Sequence, residues 1–149
     1  MFLWYNAPMK ILVSLVFLIF AFSLCRQALG YQAEFPWKPY SKQAVEDSVA
    51  YKKPVVIDFF AGWCPNCHEL DQEVFSLPQI QAQLAQVTAL RMDVTDQDDP
   101  QVQEIIQEYG VEGVPTIIFL DNKGQEIKDS RVVGLVTPQE FSQALALLK

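Results

Sequence analysis

The spacing of apolar positions changes along the chain between helical spacing and short continuous runs, and this change predicts where helices and strands lie. After Ser41, apolar residues recur at helical spacing until Pro54, so a helix is expected to end near Lys53. The segment 55–60 is a short, almost continuous apolar run rich in β-branched and aromatic residues. Such a run predicts a strand that is covered on both faces.

The same alternation continues to the end of the chain. Asp99 and the pair Thr137 and Glu140 have the spacing of helix caps, and the segment 121–124 has the composition of a hairpin turn. The further predicted elements are, in chain order, helices over 64–74 and 79–85, a strand over 87–94, a helix over 100–109, strands over 116–120 and up to 133, and a helix through 148. Helices that alternate with strands predict an α/β fold, with a central mixed sheet and helices on both faces.

The amino-terminal part of the chain has the pattern of an export segment. Residues 11–24 form an almost unbroken apolar run, preceded by Lys10 and followed by the small-x-small tripeptide 28–30. Signal peptidase cleaves after such tripeptides, so residues 1–30 are interpreted as a signal peptide. An uncleaved N-terminal membrane anchor is the alternative, because the run becomes long enough to span a bilayer when the apolar residues before Pro8 are included.

Lipidation at Cys25 is a third interpretation, although Leu24 stands where bacterial lipoprotein signals have a small residue. All three interpretations place the remaining domain, residues 31–149, in the bacterial periplasm or at the outer face of the inner membrane. Membrane contact is then expected only through the N-terminal segment. Residues 31–40 contain prolines and aromatic residues, which predicts an extended lead-in that packs on the domain surface.

Composition narrows the classes of function. The chain has 149 residues, of which 50% are hydrophobic and 19% charged, and its formal net charge is −7. This is enough apolar material for one compact core. The acidic balance and the lack of basic runs argue against nucleic acid as a partner.

Cys64 and Cys67 are the candidate reactive groups. They follow the predicted buried strand and open a predicted helix, where free backbone N–H groups favour a thiolate on Cys64. The intervening Pro65 and Asn66 influence thiolate stability and leave the two sulfurs close enough to form a disulfide. In the expected cycle, the Cys64 thiolate attacks a substrate disulfide, and Cys67 then resolves the mixed disulfide by attacking Cys64.

Two other residues are candidates because of their position. Asp58 is an isolated carboxylate in an apolar strand, so its pKa is expected to be raised and it is a candidate proton acceptor for Cys67. A buried acid paired for structural reasons is the alternative. Pro115 stands just before the strand expected beside the dithiol, and the Val114–Pro115 bond is a candidate cis peptide.

The segments 56–67 and 113–116, in this order, resemble the thioredoxin superfamily, and the match covers nearly everything after Ser41. Within it, the chain is most similar to the C-terminal periplasmic domain of the disulfide reductase DsbD and its stand-alone relatives. The features that carry this similarity are Glu69-Leu70, Val74-Phe75-Ser76 with Pro78, Asp93-Val94-Thr95 and Arg131-Val132-Val133-Gly134.

The resemblance implies a thioredoxin fold and a role for each matching residue. Cys64 would be the attacking thiol, Cys67 the resolving thiol, Asp58 the buried acid and Pro115 a cis-proline beside the dithiol. The residues implied in redox tuning or partner contact are Trp63, Pro65, Asn66, Glu69 and Val114. Glu69 would be a second acid that tunes the cysteines, with a solvated helix residue as the alternative, and Trp63 would shield the dithiol, with a core aromatic as the alternative.

The activity implied is that of an exported protein-disulfide reductase that contributes to cell redox homeostasis. Its partners would be protein thiols and disulfides, apocytochrome c in cytochrome c maturation among them, and a membrane electron donor of the DsbD or CcdA type. A disulfide oxidase or isomerase is the alternative direction. No cofactor is expected besides the redox-active Cys64–Cys67 disulfide.

Other interpretations of the cysteines are weaker. Cys64 to His68 also fit the pattern for covalent haem attachment, but Met92, the main candidate for an axial ligand, lies within a predicted strand. A structural zinc site lacks a second pair of cysteine or histidine ligands. A purely structural Cys64–Cys67 disulfide would stabilise the fold little, because closing a loop of two intervening residues hardly restricts the unfolded chain. A non-catalytic binding module with the same fold is the remaining alternative.

Overall fold

The computed structural model describes residues 34–148, so the predicted export segment 1–30, the boundary near Gly30 and Cys25 lie outside the described residues. The strands are β1 (Lys38–Pro39), β2 (Val55–Phe60), β3 (Thr88–Asp93), β4 (Thr116–Leu120) and β5 (Val132–Val133). The α-helices are α1 (Lys42–Ala50), α2 (Pro65–Leu70), α3 (Pro78–Leu84), α4 (Pro100–Tyr109) and α5 (Pro138–Ala146). A π-helical turn (Asp71–Phe75) continues α2, and a 3₁₀ turn (Lys128–Ser130) precedes β5.

The five strands form one mixed sheet in the order β1-β3-β2-β4-β5. β1 and β2 both pair with β3 in parallel, whereas β4 runs antiparallel to β2 and β5 antiparallel to β4. β2 lies at the centre, and five of its six residues are buried. The predicted mixed α/β sheet is therefore confirmed, and the chain segment that leaves β2 begins in the interior of the fold.

Local capping explains where the helices begin and end. The Ser41 hydroxyl accepts the Ala44 N–H at 3.1 Å, and the Asp99 carboxylate accepts the Gln101 N–H at 2.8 Å. Gly110 ends α4 with φ of 59°, a left-handed conformation that glycine adopts without steric cost. α5 begins with the predicted capping box of Thr137 and Glu140.

Two apolar clusters cover the two faces of the sheet, because alternate residues of a strand point to opposite faces. Val56 belongs to the cluster that includes Phe75 and Phe141, on the face covered by the π-helical turn, α3 and α5. Its neighbours Val55 and Ile57 belong to the other cluster, on the face covered by α1 and α4. No helix among residues 34–148 is long and apolar enough to cross a membrane.

The structure departs from the sequence-based prediction in three places. The lead-in contains a strand, β1, where only an extended surface segment was expected. The segment that follows the 121–124 turn was expected to pair with β4 as one strand. It pairs with β4 at the Leu120–Glu126 bridge and again through β5, and the 3₁₀ turn interrupts the pairing between these points. The helix from the dithiol to Val74 changes from α to π at Asp71, a change that the apolar spacing does not predict.

Candidate active site

The dithiol lies where the chain passes from β2 into α2. Cys64 is the N-cap of α2, Pro65 occupies the first helical position, and the Cys64 Sγ accepts the Cys67 N–H at 3.1 Å. The two sulfurs are joined in a disulfide, with the Cα atoms 5.3 Å apart. Each cysteine is only 3% exposed. A thiolate on Cys64 would therefore have a backbone donor in place, which stabilises the anion.

Trp63, which directly precedes Cys64, is exposed to solvent. It is 55% exposed, and its indole Nε1 donates to the carbonyl oxygen of Thr95 at 3.1 Å. The Gly62 N–H donates to the Thr95 hydroxyl at 2.7 Å, so the segment after β3 holds the dithiol loop at two points. An aromatic ring that is anchored at one edge and open to solvent at the other suits contact with a partner protein.

Pro115 directly precedes β4, which lies next to β2, the strand that leads to the dithiol, and Thr116 of β4 pairs with Phe59 of β2. The Val114–Pro115 peptide bond is cis, which confirms the geometry predicted for it. The Pro115 carbonyl oxygen accepts the Gly134 N–H at 2.9 Å, and Val114 packs against the apolar cluster that contains both cysteines. The segment before β4 is thus held to the segment after β5 and packs on the cluster that contains the dithiol.

Asp58 is the one charged residue of β2, and its carboxylate is paired with a cation of the neighbouring strand, the arrangement that the alternative interpretation allowed. Arg91 Nε donates to Asp58 Oδ2 at 2.8 Å, and Arg91 Nη2 and Nη1 donate to the two oxygens of Asp71 at 2.5 and 3.3 Å. We call these three residues the buried charge cluster. The side chain of Asp58 is 3% exposed, and those of Arg91 and Asp71 are each 14% exposed.

The pKa of Asp58 is raised to about 6, in the predicted direction. Burial is the largest cause, because it disfavours the charged carboxylate, and the negative charge of Asp71 acts in the same direction. Arg91 opposes both by its charge and its hydrogen bond. Burial therefore outweighs the ion pair, and Asp58 can take up or release a proton near neutral pH.

Sequence reasoning missed Arg91 and Asp71. Arg91 is a cation inside the apolar strand β3, directly opposite Asp58 in the parallel register. Buried charges are normally paired, so the presence of one acid and one base in neighbouring buried strands was a usable signal. Asp71 follows Cys67 by one helical turn, and this spacing places the two residues on one helix face.

The other predicted site residues lie at the surface. Pro65, Asn66 and Glu69 are exposed on α2, and Glu69 does not join the buried charge cluster. His68 is exposed as well, with its Nε2 2.9 Å from the Gly62 carbonyl oxygen. No group of three or more histidine, cysteine or acidic side chains in the described part of the chain is arranged to hold a metal ion.

The sheet order and the position of the cysteine pair define the class of thioredoxin-fold proteins. The family profile of the thioredoxin-like domain matches residues 41–149. The chain therefore belongs to the thioredoxin-like domain family.

Curated relatives carry the description thiol:disulfide interchange protein DsbD. The protein from Photorhabdus laumondii is 41% identical over 120 residues, which are 80% of this chain and 20% of the relative. The protein from Escherichia coli K12 is 40% identical over 93 residues, which are 62% of this chain and 16% of the relative. The chain thus spans about a fifth or less of the length of these relatives.

Solved structures give the same fold. The reduced form of the C-terminal domain of DsbD from Neisseria meningitidis has a TM-score of 0.64 and 25% identity, over 72% of this chain and 93% of that domain. A thioredoxin from Thermus thermophilus has a TM-score of 0.62 and 28% identity, over 77% of this chain and 87% of that protein. The structural similarity thus extends over nearly the whole of a DsbD C-terminal domain.

Proposed function

We propose that the protein is a thiol:disulfide oxidoreductase that acts through Cys64 and Cys67. The observation that carries the proposal is the sulfur of Cys64 at the start of α2, hydrogen-bonded by the Cys67 N–H and joined to the second sulfur. The similarity to the DsbD proteins supports it. The redox group is the cysteine pair itself, and the proposal involves no metal or organic cofactor.

The proposed reaction starts from the reduced dithiol. The Cys64 thiolate attacks one sulfur of a substrate disulfide, which forms a Cys64–substrate disulfide and releases the other substrate sulfur as a thiolate. The Cys67 thiol then gives its proton to the Asp58 carboxylate, and the Cys67 thiolate attacks the Cys64 sulfur. This forms the Cys64–Cys67 disulfide and releases the second substrate thiolate, so the substrate gains two electrons. An external dithiol donor returns two electrons to the cysteine pair.

The surface around the dithiol would receive the partner protein. Trp63 is exposed next to Cys64, and Val114 and Pro115 lie on the neighbouring strand connection. We assign these residues to partner contact. Pro65 and Asn66 stand between the cysteines and would tune the thiolate, while the tuning role of Glu69 stays a prediction.

In the proposed direction the protein works as a reductase outside the cytoplasm. The DsbD description of its relatives supports an electron-passing role, and the apolar segment 11–24 supports export. The partners would be oxidised periplasmic proteins, apocytochrome c among them, and a membrane electron donor of the DsbD or CcdA type. Residues 1–30 would act as the signal peptide or the membrane anchor.

The test is the reduction of insulin disulfides with a dithiol as the electron source. Cys64→Ser is expected to abolish turnover, because it removes the attacking sulfur. Asp98→Asn, which changes an exposed acid outside the dithiol, is the control and should keep full activity. Cys67→Ser should accumulate a mixed disulfide with the substrate, detectable by mass spectrometry. Undiminished turnover by Cys64→Ser would rule out the proposed function.

A further inference from the structure

The loop that carries the cis peptide connects α4 to β4. It consists of residues 111–115, and we call it the proline loop. Its apolar side chains face inward, since Val111 is buried in the cluster that contains both cysteines and Val114 packs against that cluster. The position of the proline loop relative to the dithiol therefore depends on how the chain is held at the end of α4 and at the start of β4.

The side chain of Arg131 holds the end of α4. Its Nη2 donates to the carbonyl oxygen of Tyr109 at 2.7 Å, and its Nη1 donates to that of Gly110 at 3.1 Å. The last carbonyl groups of a helix have no partner within the helix, and the helix dipole favours a cation beside them. One side chain thus binds the two carbonyl groups that directly precede the proline loop.

Glu126 fixes the guanidinium of Arg131 in this position. The Arg131 Nε donates to Glu126 Oε1 at 2.6 Å, and the Arg131 Nη2 donates to Glu126 Oε2 at 2.8 Å. Such a two-point contact sets the orientation of the guanidinium as well as its distance. The side chains of Arg131 and Glu126 are only 25% and 22% exposed, and the main chain of Glu126 is bridged to Leu120 at the end of β4. The sheet therefore determines where Arg131 meets α4.

The residues that follow Arg131 hold the other end of the proline loop. Val133 pairs with Thr116 of β4, and the Gly134 N–H donates to the Pro115 carbonyl oxygen at 2.9 Å. The segment 131–134 therefore holds the chain on both sides of the proline loop. The contacts at Thr116 and Pro115 are made by the main chain, whereas the contact with α4 depends on the Arg131 side chain and can be removed by substitution.

We propose that Arg131 is a positioning residue for partner binding: it fixes the end of α4 and so keeps the proline loop in the conformation that receives the partner protein. The inference rests on the proposed function, in which Val114 and Pro115 contact the partner. A loop that is already held in its bound conformation loses less entropy when the partner binds. The hydrogen bonds of Arg131 go to Glu126 and to α4, so its loss should weaken partner binding and leave the chemistry of the cysteine pair unchanged.

The experiment is the reduction of insulin at varied insulin concentration, with a dithiol as the electron source. Arg131→Gln should raise the KM for insulin by about fivefold or more and change kcat by less than about twofold, because the proline loop must then be ordered on binding. Arg131→Lys keeps the charge without the planar fork, so its KM should lie between those of the wild type and Arg131→Gln. Glu126→Gln removes the charge that orients Arg131 and should also raise the KM.

A small substrate separates partner binding from the chemistry of the dithiol. Hydroxyethyl disulfide needs little more than access to the Cys64 sulfur, so Arg131→Gln should reduce it at the wild-type rate. The reduction potential of the Cys64–Cys67 pair should be equal in the two proteins as well. A role of Arg131 in general folding would instead lower the activity toward both substrates.

Two control variants exclude charge and stability as the cause. Lys128→Gln removes an exposed positive charge in the neighbouring 3₁₀ turn, and Thr137→Ala removes the hydroxyl that caps α5. Both should keep the wild-type KM for insulin. Amide hydrogen exchange measured by NMR gives a readout that does not depend on activity. The Val111 and Gly134 amides should exchange faster in Arg131→Gln than in Thr137→Ala, because only the former frees the proline loop.

An unchanged KM for insulin in Arg131→Gln overturns the positioning role, and so does an equal loss of activity toward hydroxyethyl disulfide. If Arg131→Gln does not fold, Arg131→Lys and Glu126→Gln are judged by the same two criteria. A wild type that does not reduce insulin would refute the proposed function. The amide exchange of Val111 and Gly134 would still show in that case whether Arg131 holds the proline loop.

Discussion

Asp58→Asn is expected to gain stability relative to the wild type as the pH rises from 4 to 7. The carboxylate is buried, and its pKa in the folded state is about 6, compared with 3.8 for an unperturbed aspartate. The folded state therefore binds this proton more tightly than the unfolded state. Asp58 contributes stability that is complete below about pH 4 and is lost as the pH rises through 6.

The magnitude follows from the size of the shift. A difference of about two pH units corresponds to ~3 kcal/mol, at 1.36 kcal/mol per unit. The amide that replaces the carboxyl group in Asp58→Asn does not ionise, and Arg91 would keep its hydrogen bonds to Asp71 in the variant. The difference in the free energy of unfolding, variant minus wild type, should thus increase by up to ~3 kcal/mol between pH 4 and pH 7.

The assay is denaturant unfolding of the disulfide form at a series of pH values. Taking the difference between the two proteins cancels the groups that titrate equally in both. Asp98→Asn supplies the matched control, because it removes an exposed acid and its difference should be nearly constant. A constant difference for Asp58→Asn, or one that decreases as the pH rises, would refute the assignment of Asp58 as an acid held in a raised-pKa environment.

Two further predictions concern the redox direction and the last helix. Equilibration with glutathione or dithiol buffers measures the reduction potential of the Cys64–Cys67 pair. We expect a value nearer to about −270 mV, as in thioredoxin, than to about −120 mV, as in DsbA. A value near that of DsbA would contradict the reductase direction. Thr137→Ala removes the hydroxyl that accepts the Glu140 N–H and should lower the free energy of unfolding by ~1 kcal/mol. Thr137→Ser keeps a hydroxyl and should retain most of that stability. Equal denaturant midpoints for the two variants would contradict the capping role.

The sequence predicted those elements whose ends depend on local chemistry. β2 and β4 have the predicted bounds, and α4 lies between the predicted Asp99 cap and Gly110. Proline and capping residues act within a few positions, so a single chain is sufficient to recognise them. The dithiol at the start of α2 was predictable for the same reason.

Features that depend on partners distant in sequence were not predictable in this way. β1 has two residues, and only their pairing with β3 makes them a strand. The environment of Asp58 depends on Arg91, 33 residues away along the chain. The 3₁₀ turn forms where the Ser130 hydroxyl donates to the Ile127 carbonyl oxygen at 2.6 Å, a local bond that competes with strand pairing.

Trp37 stands outside the family match, which begins at residue 41, yet its ring covers the guanidinium of Arg91. A recombinant fragment cut at the edge of the homologous region would keep every cysteine and acid of the site but would open the buried charge cluster to water. Water screens charges, so Asp58 in such a fragment would feel Arg91 and Asp71 more weakly. Fragments for biochemistry should therefore begin before Phe35, and their pH behaviour would reveal a boundary placed too late.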